Sequence, residues 1–295
     1  MPTVLRTTKE CRNVYRDILQ GYSFVSEQAF YIKHYKEADL GFLESVYQSF
    51  SKKASVMGLL SREDKLKLLN EEDYWTTSEE ENYISLSLAV NDAKEHYNKL
   101  VIPAQIEAFK EIMEEQEGNL REVAKTRNEI VEPTIESYCD KLINELYVFH
   151  AIYKDPELKT SFFTQEEFDN LSYRELGEVV TVYNNAISMF TEENIKKIGV
   201  NSFFLNAFLM VDNDPVKFFG KSVLELTVYQ MNLFSKGKYY KSILMEGSEP
   251  PTEYYDDEKE GVASLVKWFD TEHARMMTKR AADAAKAKQR SMGRR

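Results

Sequence analysis

The chain is poor in residues that break helices, with 11 glycines and 7 prolines among 295 residues. That supply is too small for a glycine-rich repeat or for a β-sandwich with a tight turn every few residues. Cysteine is nearly missing: Cys11 and Cys139 could close at most one bridge. A disulfide framework and a thiolate metal cluster are therefore excluded, and two free thiols of a cytosolic protein are the expectation. No apolar run approaches the roughly 20 residues that a membrane helix needs, so no membrane partner is expected. The N-terminal stretch MPTVLRTTKECRNVYRD has no continuous apolar segment, and export through a signal peptide is not expected.

What the chain does have is charge, and its distribution is uneven. The formal net charge is -11. Residues 276–295 hold Lys279, Arg280, Lys286, Lys288, Arg290, Arg294 and Arg295 against the single acid Asp283, a local charge of +6 that leaves -17 on residues 1–275. An acidic body repels nucleic-acid phosphates, whereas its basic end suits electrostatic docking on an anionic partner.

Apolar spacing and capping residues predict an all-α protein, a multi-helix assembly with a long central amphipathic hairpin or coiled-coil arm. Residues 8–19 place Val14, Tyr15, Ile18 and Leu19 at helical spacing, and Gly21 and Ser23 end that segment. The regions 29–36 and 39–54 are expected to be the next helical segments. Ser61 should cap a helix running to about Asn70, and Thr77 with Glu80 matches a capping box. From Ser78 to about Arg127 the main interruption is Pro103, where a break near Ile102 is expected. Pro133 suits a first helical position. Further starts are expected at Thr164 with Glu167, Ser172 with Glu175, Thr191 with Asn194, Asp214 before Pro215, Thr227 and Gly261. The resulting segmentation is a helical region with the arm at 1–130 and a compact helical domain at 131–247. An acidic linker at 248–260 and a C-terminal helix with basic tail at 261–295 complete it.

Chemistry-bearing motifs are scarce. The four histidines occur in neither HExxH nor Glu-x-x-His, and Asp270 with His273 is one ordinary helical pair. Asp212-Asn213-Asp214 is followed by Pro215, Val216 and Lys217, which offer neither the glycine nor the alternating oxygens of a calcium loop. No phosphate-cradling glycine loop, dinucleotide fingerprint or nucleophile elbow is present. No metal, cofactor or catalytic set is therefore assigned.

Aromatic side chains make up 13% of the chain, and several occur as adjacent pairs. Neighbours on an amphipathic helix cannot both point inward, and tyrosine suits interfaces because it joins apolar area to a hydroxyl. Phe218, Phe219, Tyr229, Met231, Phe234, Tyr239 and Tyr240 are accordingly the candidates for protein binding. The stretch FFGKSVLELTVYQMNLFSKGKYYKSIL at 218–244 resembles segments of tailed-phage assembly proteins, in particular those that chaperone tail tape-measure assembly. Phe219, Gly220, Leu226, Thr227, Tyr229, Gln230 and Leu233 carry the resemblance, which covers under a tenth of the chain and implies no catalytic residue.

The resemblance implies a non-enzymatic phage assembly or virion structural protein. Its partners would be other phage or virion proteins, or further copies of itself, in the host cytoplasm during assembly or in the particle. An alternative is a nucleic-acid-associated packaging accessory that uses the basic tail. A helical enzyme with a site assembled from distant residues is the less favoured third reading.

Overall fold

A computed structural model describes residues 4–99, 103–257 and 260–292. It is a mostly helical, multi-helix bundle with three short strands. The chain runs α1 (Thr8–Gln20), β1 (Tyr22–Val25), β2 (Phe30–Lys33), α2 (Glu37–Val56), α3 (Arg62–Glu71), α4 (Thr77–Lys99), α5 (Pro103–Val131) and α6 (Ile135–Ala151). It continues with β3 (Ile152–Tyr153), α7 (Gln165–Asp169), α8 (Tyr173–Ile187), α9 (Glu192–Gly199), α10 (Ser202–Leu209) and α11 (Pro215–Phe219). The last elements are α12 (Val228–Glu246), α13 (Glu253–Asp256) and α14 (Gly261–Met292).

Two compact units form, one from Met1–Glu37 with Ala151–Arg295 and one from Ala38–His150. This is a different division from the linear one drawn at linkers. The first unit joins the two ends of the sequence, and a reading of composition along the chain carries no signal for such a join.

In the first unit, α1 has a full capping box between Thr7 and Glu10 and ends on Gly21, whose φ of 80° is left-handed. That reversal feeds the β1–β2 hairpin, in which Ser23 faces Ile32 and Ile32 in turn faces Ile152 of β3. The helix expected over 29–36 is not formed: Phe30–Lys33 within it is a strand, a short sheet in an otherwise helical bundle. Along β2 burial alternates, with Phe30 and Ile32 inward, as a pleat requires. Ala29, at φ 54°, closes the preceding turn in a conformation no helix contains.

The main core gathers α1, α9, α10, α12 and α14 around Ile18, Ile198, Phe204, Phe208, Leu233 and Phe269. Two glycines set how closely these helices approach. A Cβ on Gly199 would stand 2.8 Å from the Tyr240 ring, and one on Gly237 would stand 2.5 Å from the Phe208 ring. Each ring occupies the space a side chain would need. The join between the chain ends is polar. Gln230, fully buried, accepts a hydrogen bond from Thr227 N at 3.0 Å and donates to Ile18 O at 2.9 Å and Leu19 O at 3.0 Å.

In the second unit, α4 and α5 run antiparallel, as the pairs Glu80–Arg127 and Lys94–Glu117 require, and α3 packs against α5. No single long arm stands out from this packing, and the expected break near Ile102 lies outside the described residues. The Arg127 guanidinium makes two 2.7 Å bonds to the Glu80 carboxylate, which also accepts from the Trp75 indole at 2.9 Å. Burial pushes the Glu80 carboxyl up, yet the Arg127 and Trp75 hydrogen bonds outweigh it and hold the group below the usual carboxylate range. With Glu80 so engaged, the capping box shifts by one residue from its expected place. Thr76 and Glu79 make it, while Thr77 bonds to Asn70. Pro133 likewise sits ahead of α6 rather than in its first position, in a cis bond after Glu132, and Thr134 accepts from Ser137 N to cap the helix.

Gly237→Ala should destabilise the first unit by about 1–3 kcal/mol despite the better helix propensity of alanine, because the methyl overlaps Phe208; thermal unfolding reads this. Gln230→Met keeps the volume but strands buried backbone groups of residues 19 and 227. It should cost roughly 2–4 kcal/mol in urea denaturation.

Candidate protein-binding surface

The residues expected to bind a partner lie in the first unit, and most of their aromatic area is turned inward. Phe234 and Tyr240 are buried, which corrects their placement on a contact surface. On α12 they fall on the side that carries Leu233, Gly237 and Ile243, and this side faces the core. Phe218 and Phe219 are half-buried. Phe218 packs edge-on to Phe204, Phe208 and Phe234, with ring centres 5.7–6.1 Å apart. Tyr229 is stacked on Phe190 at 4.7 Å, and Tyr239 meets His273 at 5.0 Å. Of the seven, Met231 is the exposed one, at 41%.

Six exposed apolar residues lie between and beside those aromatics in the sequence. Leu209 and Met210 end α10, Val216 lies on α11, Val223 and Leu224 form a short 3-10 turn, and Met231 begins the outer side of α12. Met210 is 86% exposed and Leu224 87%. Because Phe218 of α11 touches both α10 and α12, these three helices are tied to one aromatic cluster. Asp212 and Asn213 adopt left-handed φ of 50° and 61°, a conformation that short polar side chains tolerate and most others resist. Asp214 then caps α11 through Val216 N at 2.9 Å. The signal for the rim in the sequence is apolar residues at helix ends and turns, such as Met210 and Leu224.

The basic candidates divide. Lys279 and Arg280 are exposed on α14, and Arg280 pairs with Glu246 of α12. The side chains of Lys286, Lys288 and Arg290, and the whole of Arg294 and Arg295, lie outside the described residues.

His34, Lys197 and Cys11 are titratable groups buried in the first unit. His34 has Ser23 Oγ 2.9 Å from its Nε2, while its Nδ1 finds no hydrogen-bond partner among the described residues. Phe190 and Tyr229 rings wall it in, and burial pushes the imidazole down to about 3. Lys197 is buried with its ammonium 3.7 Å from Glu193, and burial lowers it from the usual lysine range. Cys11 is buried beside it, its thiol pushed up to about 12 by the same desolvation, so it carries no reactive thiolate. Among the described residues no three His, Cys, Asp or Glu side chains gather to hold a metal ion. No described helix is long and apolar enough to cross a membrane. The chain matches no protein-family model, no curated protein and no solved structure.

His34 gives a test of this interior. Its folded-state value lies below its ordinary 6.5, so unfolding takes up a proton between pH 6.5 and about 3. Its contribution is whole above that window and falls by about 1.4 kcal/mol per pH unit within it. Urea midpoints measured from pH 7 to 4 should fall less steeply for His34→Gln by about one proton's slope.

Proposed function

We propose that this protein is a non-enzymatic, protein-binding component of tailed-phage particles or of their assembly, acting in the host cytoplasm or in the particle itself. The observation that carries this reading is the exposed apolar rim at 209–231. It overlaps the 218–244 stretch whose residues resemble phage tail-assembly chaperones. Exposed side chains such as Met210 and Leu224 expose apolar area that water disfavours and that a partner would cover. The aromatic cluster that joins α10, α11 and α12 gives these helices a rigid base, which lowers the ordering cost of association.

Within the same reading, α4 and α5 serve as an antiparallel arm for contacts along its length. Ile84 and Leu88 on α4, four residues apart, and Ile112 on α5 are its exposed apolar contact points. The acidic body keeps such a protein off nucleic acid while it finds its protein partner.

Met210→Asp and Leu224→Asp replace exposed side chains and should leave the melting temperature within about 1–2 °C of the parent, since surface changes cost little. Each should reduce recovery of phage proteins co-purified from infected cells at least fivefold. Undiminished recovery with both changes combined would remove the rim from the function.

A further inference from the structure

A cleft of about 540 Å³ opens between α9, α12 and α14 in the first unit, within the range of small-ligand and peptide-anchor sites. It has no part in the apolar rim. Its walls include Glu192, Lys196, Lys236, Tyr239, Tyr240 and Asp270. The two lysines come from different helices and converge on one position. Lys236 Nζ is 2.8 Å and Lys196 Nζ 3.9 Å from the same oxygen, Oε1 of Glu192.

That carboxylate is an occupant the site can release. The Glu192 side chain is 72% exposed, whereas Lys236 is 24% exposed, so the acid is still hydrated while its partner faces the cleft. An ion pair with one such exposed member contributes little to stability. When Glu192 swings outward, both ammonium groups lose the carboxylate oxygen they share and are open to another.

The other wall fits what would accompany that carboxylate. Tyr239 and Tyr240 pack together at 5.1 Å and give an aromatic surface, and Tyr240 is fixed by its seat on Gly199 and by Phe269 at 4.7 Å. Asp270 stands close enough to both tyrosines to raise their hydroxyls further above the usual range, after burial. Its carboxylate accepts hydrogen bonds only, which suits an amide N–H. Asn232 and Ser235 line the same space with groups that both donate and accept.

We propose that this cleft binds an acidic peptide segment, which lays a side-chain carboxylate between Lys196 and Lys236 in place of Glu192 and an apolar neighbour against Tyr239. The site is a competition between an internal and an external carboxylate. Removing the internal one therefore strengthens binding, a response opposite to that of an ordinary structural ion pair.

The test is a ligand-observed NMR titration of the full chain with the capped tripeptide acetyl-Glu-Phe-Glu-amide, run in parallel with inorganic phosphate. The parent should bind the peptide saturably, and Glu192→Gln should tighten it roughly two- to fivefold, the worth of one exposed pair. Lys236→Met should weaken it at least fivefold, in the parent and in the Glu192→Gln background alike, with an unchanged circular dichroism spectrum. Glu225→Gln, outside the cleft, should change nothing. Absence of saturable peptide binding in both parent and Glu192→Gln would overturn the proposal. So would binding indifferent to Lys236→Met, or phosphate bound as tightly as peptide.

Discussion

The first unit depends on one buried amide. Gln230 closes the capping box of α12 with its oxygen and binds the last carbonyls of α1 with its nitrogen, across more than 200 residues of chain. A hydrogen bond made in a dry interior has modest net worth, but leaving its partners unmet is costly. The residue thus works less as glue than as a selector. Of the ways α1 could pack on α12, it favours the one in which both sets of orphan helix-end groups are answered. The neighbouring backbone follows, since Val228 N bonds to Tyr35 O and Lys36 bridges to Thr227. The short sheet is thereby held at the start of α12, and His34, between sheet and helix, becomes enclosed.

That arrangement explains where the aromatic side chains went. Once α12 is fixed, Gly237 and Gly199 let Phe208 and Tyr240 sit directly against backbone, and the helices close to contact. The paired aromatics of α10 and α12 then fill the space between elements, each pair sending one ring deeper than the other. Phe204 is fully buried and Phe203 partly so; Tyr240 is buried and Tyr239 half-buried. Aromatic density in the sequence is thus a mark of tight helix contact here, and the exposed apolar surface falls to Met210, Leu224 and Met231, which belong to no pair.

Local signals were legible and long-range ones were not. Ser61, Thr164, Ser172, Thr191, Asp214 and Thr227 cap the helices their side chains announce, because a cap is decided within four residues. Thr77 misleads for an instructive reason. Glu80 suits the third position of a box equally well, but a buried Arg127, 47 residues away, binds it, and the box moves to Thr76 and Glu79. The strands carry little signal in the sequence because segments of two to four residues have too little periodicity to outweigh helical neighbours, and because Ile32 pairs with Ile152, 120 residues away. The cleft was invisible for the same cause. Lys196, Lys236 and Asp270 are ordinary charges on three helices until packing brings them to one space.

Both proposed surfaces include residues of α12. Its inner side, Gln230, Leu233, Phe234, Gly237, Tyr240 and Ile243, is buried. Its other sides carry Met231 toward the rim and Asn232, Ser235, Lys236 and Tyr239 toward the cleft. Sites built on a rigid helix are held more accurately than sites on loops, and rigidity here comes from the inner side. Any change at Gln230 or Gly237 would therefore disturb rim and cleft together and could not distinguish them. Changes on the outer sides can, because Met231 is exposed away from the cleft lining while Lys236 is part of it. A protein that loses one binding activity and keeps the other after such a change would have two independent surfaces on a single helix.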